Sequence, residues 1–246
     1  MSDSIDEFSF IRFSPKPAVK LPFQPVAMNF EYPPADPVAE IRRWLEEAFQ
    51  LALPNPNAMY VATVNADGSP SLRTVLLRGF DEHGAVFFTN RLSRKGLELT
   101  ARPKAALLLH WDQLDRQIRI EGSVTSTTEQ HSDAYFSQRP RGNQIGAWAS
   151  EQSRPLPHRA VFDQRVGEFE KRFAEKDVAR PPHWGGYRVA LESIEFWQGH
   201  SERLHDRVVY TKSSSGFGSG FGSGSGSSSG SPAGSGSRWN IGRLFP

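Results

Sequence analysis

From Met59 onward the apolar residues of this chain fall mostly into short β-rich runs separated by turn residues, and only a few stretches carry the longer period of a helix. The first helical stretch follows Asp36-Pro37, a residue pair suited to the N-cap and the first helical turn. Ile41, Trp44, Leu45, Ala48 and Ala52 recur there at helical spacing, which assigns Trp44 to the core. A β-rich run at 59–64 leads to Asp67-Gly68, a hairpin signal, and the run at 72–77 returns. A turn is expected at 80–84, a third strand at 85–89 and a short helix at 93–99. Two more strands are predicted at 105–111 and 117–124, helices at 129–138 and about 159–174, and a strand at 187–196. Closely spaced strands with this punctuation predict a mainly β fold with flanking helices, closed as an antiparallel barrel and not a βαβ sheet.

Two segments fall outside the pattern. Residues 1–33 are rich in Pro, Phe and Ser without a steady period and are expected to form a mobile N-terminal arm. Residues 213–237 are almost entirely Gly and Ser, interrupted by Phe217, Phe221 and Pro232-Ala233. Too few residues follow for a second domain, but Trp239, Ile241 and Leu244 form an alternating apolar set. The tract therefore reads as an insertion between the last two strands of one domain, 34–246, where a longer loop adds only logarithmically to closure entropy. A length of 246 residues suits one such domain. The net charge of +2 gives no strong field for nucleic acid. With no cysteine there is no disulfide or thiolate metal site, and no metal is expected. No signal-peptide pattern or long apolar run is present, so a soluble, cytoplasmic chain without membrane contact is the expectation.

The candidate chemistry is concentrated in residues 197–207. If this stretch is extended, Arg203, His205 and Arg207 share one face beside Trp197. Cationic groups gathered in this way suit an anionic, aromatic ligand, although the same charges also suit a solvated strand end. Residues 139–153 are dense in Gly, Trp and amide side chains, which does not suit an ordinary core helix. Ser93-Arg94-Lys95 opens a helix after a strand, so a capping hydroxyl, two cations and free N–H groups meet where phosphate binds well. Arg73, on the preceding hairpin, is placed to reach the same anion. A plain capped surface helix would have the same residues.

Further motifs are Ala58-Met-Tyr-Val-Ala-Thr-Val, Arg73-Thr-Val-Leu-Leu-Arg78-Gly-Phe-Asp, Phe87-Phe88-Thr89-Asn90 and Arg116-Gln117-Ile-Arg-Ile-Glu-Gly. Trp184-Gly-Gly, Ile194-Glu-Phe-Trp197-Gln-Gly and Arg203-Leu-His-Asp-Arg207 follow. In this order, over residues 36–210 and again from Trp239, the chain closely resembles the pyridoxamine 5'-phosphate oxidase family. The resemblance implies an FMN-binding split β-barrel and a homodimer with FMN at the subunit interface. It also implies oxidation of pyridoxine or pyridoxamine 5'-phosphate at C4' to pyridoxal 5'-phosphate, with O2 as acceptor and H2O2 as product.

Carried over motif by motif, the FMN set is Arg73, Phe88, Thr89, Arg94, Lys95, Gln117, Gln152, Ser153, Trp197 and Arg207. The substrate set is Arg78, Tyr135, Arg139, Asn143, Arg203 and His205, with Arg203 and His205 the implied catalytic pair over the pyridine ring. Tyr135 and Arg139, four apart on a predicted helix, would share a face and suit the substrate phosphate. The chain departs from the family pattern in three places. Arg78 stands where lysine is usual, Asn143 where serine is common, and no basic lid motif precedes Pro33, Glu31-Tyr32 being its nearest remnant. An oxidase for a larger aromatic, such as a phenazine precursor, and a flavin or pyridoxal phosphate carrier without turnover are the alternatives.

Overall fold

In the computed structural model, residues 21–51, 53–213 and 239–246 are described. α1 (Pro37–Phe49) precedes β1 (Ala58–Val64), β2 (Pro70–Leu76), β3 (Gly79–Asp81) and β4 (Gly84–Asn90). Next come α2 (Arg94–Ala101), β5 (Lys104–Trp111), β6 (Arg116–Ser126), α3 (Glu129–Ser137), α4 (Arg141–Ala149) and α5 (Arg159–Arg172). β7 (Trp184–Val189), β8 (Ser193–Gln198), β9 (Asp206–Lys212) and β10 (Trp239–Arg243) follow. The strands pair antiparallel in the order β10-β9-β8-β6-β5-β1-β2, and β7, β4 and β3 branch from β6 to curl the sheet into a half-barrel. This is the mainly β architecture with flanking helices that the strand pattern predicts.

The pivot is β6. Its residues 116–121 pair with β8, while 124–126 pair with β7. Between them lies Gly122, where a Cβ would collide with the carbonyl oxygen of Ala190, so the two backbones meet there only because a side chain is absent. The same close approach corrects the expectation of one strand over 187–196. At residues 190–192 the chain stays on the same edge of β6, with the Ala190 N–H donating to the Ser123 carbonyl and the Glu192 N–H to the Glu121 carbonyl, but its register slips by one residue, so that run becomes β7 and β8.

Alternation fixes the core. Met59, Val61 and Thr63 of β1 are buried, as are Ala105, Leu107, Leu109 and Trp111 of β5 and Ile118 and Ile120 of β6. α1 covers this face with Ile41, Trp44, Leu45 and Ala48, and Trp44 meets Phe196 edge-on at 5.1 Å. Asp36 caps α1 by accepting from the Val38 N–H at 2.9 Å; Ala52, expected to extend the apolar stripe, lies outside the described residues.

The described part of the expected N-terminal arm is packed, which corrects the reading of a mobile arm for residues 21–33. Met28 and Phe30 are buried in the main core. The Val26 carbonyl accepts from Arg43 at 2.7 Å and Arg116 at 2.8 Å, and its N–H donates to Glu47 at 3.2 Å. Pro-rich sequence hides this docking because the segment uses side-chain partners in place of a ladder. At the other end β10 pairs with β9, while the Gly/Ser tract between them lies almost wholly outside the described residues. Among the described residues no helix is long and apolar enough to cross a membrane.

Candidate active site

A cavity of about 1070 Å³ opens between β2, β4, α2, α3 and α4. Small residues make room for it. On α4, Gly142, Asn143, Gly146 and Ala147 face the cavity, while Ile145 and Ala149 on the opposite side are buried. Residues 141–149 are therefore helical after all, with a small-residue face where a core helix would carry bulk. Of the predicted residues, Arg73, Arg78, Phe88, Thr89, Arg94, Lys95, Tyr135, Arg139, Asn143, Gln152 and Ser153 line this one cavity.

One part of the wall is a cluster of cations around the start of α2. Ser93 caps the helix, accepting from the Gly96 N–H at 3.4 Å, and is fully buried. Lys95 is also buried, and its Nζ meets Thr89 Oγ1 at 3.0 Å, Ser93 Oγ at 3.2 Å and Gln152 Oε1 at 3.3 Å, all neutral oxygens. Burial, with repulsion from Arg73 second, lowers its pKa to about 8. Glu98 was missed at the sequence level, although it stands four residues after Arg94 on the helix. It accepts from Arg73 at 3.1 Å and from Arg94 at 2.9 Å, and binds Thr63 and Ser71 at 2.5 and 2.6 Å. Burial opposes its charge, but these hydrogen bonds prevail and hold the carboxyl at about 2. Three cations and one carboxylate leave two positive charges, the complement of a phosphate dianion.

Lys95 carries a pH signature. Its folded pKa lies below the ordinary value of 10.5, so its contribution to stability is full above that value and lost as the pH falls through about 8. The ligand-free protein is expected to gain about 3 kcal/mol from this group between those limits. Urea unfolding of wild type and Lys95→Met across this range checks the expectation. The stability gap between them should change with pH, and parallel curves would contradict the assignment.

The other part of the wall is aromatic. Phe88 stacks on Tyr135 with centroids 4.1 Å apart and on Trp184 at 5.4 Å. Arg78 lies 5.8 Å from the Tyr135 ring centroid, and Arg139 lies 4.7 Å from that of Trp184. Arg139 Nη1 is buried without a hydrogen-bond partner, the kind of orphan that an anionic ligand satisfies. The shared helix face expected for Tyr135 and Arg139 is corrected: α3 ends at Ser137, and Arg139 precedes Pro140, which disfavours helical backbone before it. The aromatic stack, not helix spacing, brings the two residues to the same cavity.

The remaining predicted residues do not line it. Gln117, Trp197 and Arg207 occupy one cross-strand row on β6, β8 and β9 and so share a face of the sheet. Arg207 donates to Glu195 at 2.9 Å. Residues 197–207 do not run extended throughout, so the condition for one shared face of Arg203, His205 and Arg207 is not met. β8 and β9 form a hairpin whose tight turn at Ser201–Arg203 places Glu202 and Arg203 at positive φ, 58° and 62°. Gly199 and the polar residues after it permit the turn, so Arg203 and His205 sit at its tip and not along one strand face. The His205 ring packs 4.6 Å from Trp197, and its Nδ1 accepts the His200 N–H at 3.2 Å, which leaves the proton of the neutral ring on Nε2. Arg203 is exposed and has no carboxylate partner among the described residues.

The residues present fit a flavin mononucleotide: a desolvated lysine and two arginines for its phosphate, with hydroxyl and amide groups at Thr89, Gln152 and Ser153 beside them. Comparison with known proteins points the same way. The profile of pyridoxamine 5'-phosphate oxidase matches residues 45–173, and that of the pyridoxine 5'-phosphate oxidase C-terminal dimerisation region matches residues 184–246. The pyridoxine/pyridoxamine 5'-phosphate oxidase of Cupriavidus pinatubonensis is 54% identical over 181 residues, covering 74% of this chain and 85% of that protein. The protein of that name from Rubrobacter xylanophilus is 53% identical over 182 residues, covering 74% and 84%. Among solved structures, PhzG from Burkholderia lata, in complex with tetrahydrophenazine-1-carboxylic acid, has a TM-score of 0.75 at 28% identity, covering 88% of this chain and 96% of its own. A pyridoxamine 5'-phosphate oxidase-related, FMN binding protein from Nostoc punctiforme shares the fold, with a TM-score of 0.60 at 16% identity over 85% and 96% of the two chains.

Proposed function

The chain belongs to the pyridoxamine 5'-phosphate oxidase family, and on that premise we propose that it oxidises pyridoxine or pyridoxamine 5'-phosphate to pyridoxal 5'-phosphate with FMN as cofactor. One observation carries the reading: a single cavity holds two separate groups that keep a net positive charge, the Arg73–Arg94–Lys95 cluster with its one carboxylate, Glu98, and Arg139. The first suits the phosphate of FMN and the second the phosphate of the substrate, with Tyr135 and Asn143 as further donors. When bound, FMN supplies the two-electron acceptor and the route by which O2 becomes H2O2.

The catalytic pair belongs to the second constellation. The proton that the C4' alcohol or amine loses as C4' is oxidised passes to solvent. Arg203 assists that loss by stabilising the negative charge that develops there, and His205 donates from Nε2 to hold the substrate in place. Because Gln117, Trp197, Arg203, His205 and Arg207 lie outside their own chain's cavity, the reading requires a homodimer in which they complete the partner's site. The matched dimerisation region, 184–246, carries four of these five residues.

The deciding experiment is aerobic turnover with FMN and each phosphoester, following the aldehyde as a coloured Schiff base together with peroxide. Aldehyde and peroxide in equal amounts are expected. A yellow protein that makes aldehyde from neither substrate would overturn the reading in favour of a phenazine-type oxidase or a carrier. The shared site has its own check: Arg139→Met and Arg203→Leu dimers, each impaired, should regain about one-quarter of wild-type activity when subunits are mixed and exchanged, because one of two sites is intact in half the dimers. No recovery after proven exchange would place both residues in one chain's site.

A further inference from the structure

Trp184-Gly185-Gly186 opens β7, and none of its three residues belongs to the predicted cofactor or substrate sets. Its geometry ties it to both. Phe88 faces Gly186 across the β4–β7 ladder, and a Cβ at Gly186 would meet Phe88 Cε1 at 2.7 Å, so the absent side chain is what lets the Phe88 ring lie flat. Trp184 is 6% exposed and nearly parallel to Phe88, with 8° between the ring planes. On its face rests the guanidinium of Arg139, 4.7 Å from the ring centroid. No carboxylate among the described residues pairs with Arg139, and its Nη1 is buried and unpartnered. A carboxylate would have positioned the arginine while cancelling its charge. An aromatic face positions it and leaves the charge available.

We propose that Trp184 is a positioning residue for the anionic end of the substrate, holding Arg139 in place through its ring face without neutralising it. The proposal rests on the reading of the cavity as a phosphoester site. Burial also disfavours the charged form of Arg139, and an arriving phosphate relieves that cost.

The test uses the FMN-loaded protein and the series Trp184, Trp184→Phe and Trp184→Leu. It measures kcat and KM for pyridoxine 5'-phosphate and the inhibition constant of inorganic phosphate. KM and the phosphate constant are expected to rise together, about threefold in Trp184→Phe and about tenfold to thirtyfold in Trp184→Leu, following the loss of the ring face. Turnover at saturation and the absorption spectrum of bound FMN should move little. A rise in KM with an unchanged phosphate constant would overturn the proposal, as would a fall in kcat alone. If Trp184→Leu does not load FMN, Trp184→Phe decides, and an unchanged phosphate constant there is the contrary result. If the wild type oxidises no phosphoester, the functional reading fails separately. Phosphate binding by calorimetry on wild type and Trp184→Phe then still decides the role of Trp184, equal affinities overturning it.

Discussion

Replacing Arg203 with leucine is expected to lower turnover of pyridoxine 5'-phosphate by about 10²- to 10⁴-fold, the range typical of a group that assists proton transfer, while FMN stays bound. The side chain is exposed on its own chain, is not neutralised by a carboxylate among the described residues, and projects from a turn held at a φ of 62°. A non-glycine residue in that region costs on the order of 1–3 kcal/mol and persists where surrounding structure enforces it. Such strain, two residues from His205 on the tip of a hairpin, suits a side chain that is presented to another surface. Leucine bears the same backbone penalty as arginine, so the substitution isolates the guanidinium. The measurement is steady-state turnover alongside the flavin absorption spectrum. Unchanged kcat/KM would remove Arg203 from the chemistry. Loss of flavin instead would assign the turn to cofactor binding.

Replacing Lys95 with methionine is expected to weaken FMN binding by about 10²- to 10³-fold, corresponding to the middle of the roughly 2–5 kcal/mol lost when one partner of a buried charge pair is removed. Lys95 is buried among neutral oxygens from Thr89, Ser93 and Gln152, and its pKa falls to about 8 because that setting disfavours its charge. A phosphate arriving beside it supplies the counter-charge that the protein withholds. Methionine keeps most of the apolar stem and removes the ammonium, with its charge and its hydrogen bonds to Thr89, Ser93 and Gln152. Riboflavin, which lacks the phosphate, should bind both proteins about equally, and flavin fluorescence quenching measures all four affinities. The wild type should also lose FMN affinity as the pH rises through about 8, where ligand-free Lys95 gives up its proton, and the variant should not. An equal loss for FMN and riboflavin would mean that the substitution damages packing and that Lys95 is not a phosphate ligand.

Much of this was legible because it is local. Asp36-Pro37 announced α1, Asp67-Gly68 the first hairpin, and Ser93 the cap of α2, since caps and turns depend on residues a few positions apart. The motifs also named a set of residues, most of which the fold gathers into one cavity. What escaped was long-range. The strand expected at 187–196 is divided because its register against β6 slips by one residue at 190–192, and nothing within the run records that. Residues 197–207 have the composition of a strand face, yet hairpin pairing of β8 with β9 forces a turn through them. Glu98 was invisible as the holder of Arg73 and Arg94 because Arg73 reaches it only across the sheet.

The sequence by itself therefore determined most of the elements and the mainly β class, because alternation and capping act over a few ångströms of chain, while the candidate site residues came from motifs that resemble a known family. Only the tertiary structure decided that residues 21–33 dock on the core, that Trp184 rather than a helix turn carries Arg139, and that Arg203 and His205 lie away from the cavity they were expected to serve. Each of those outcomes depends on register and packing between segments far apart in sequence, where the energy of a contact is set by surfaces that no local pattern records.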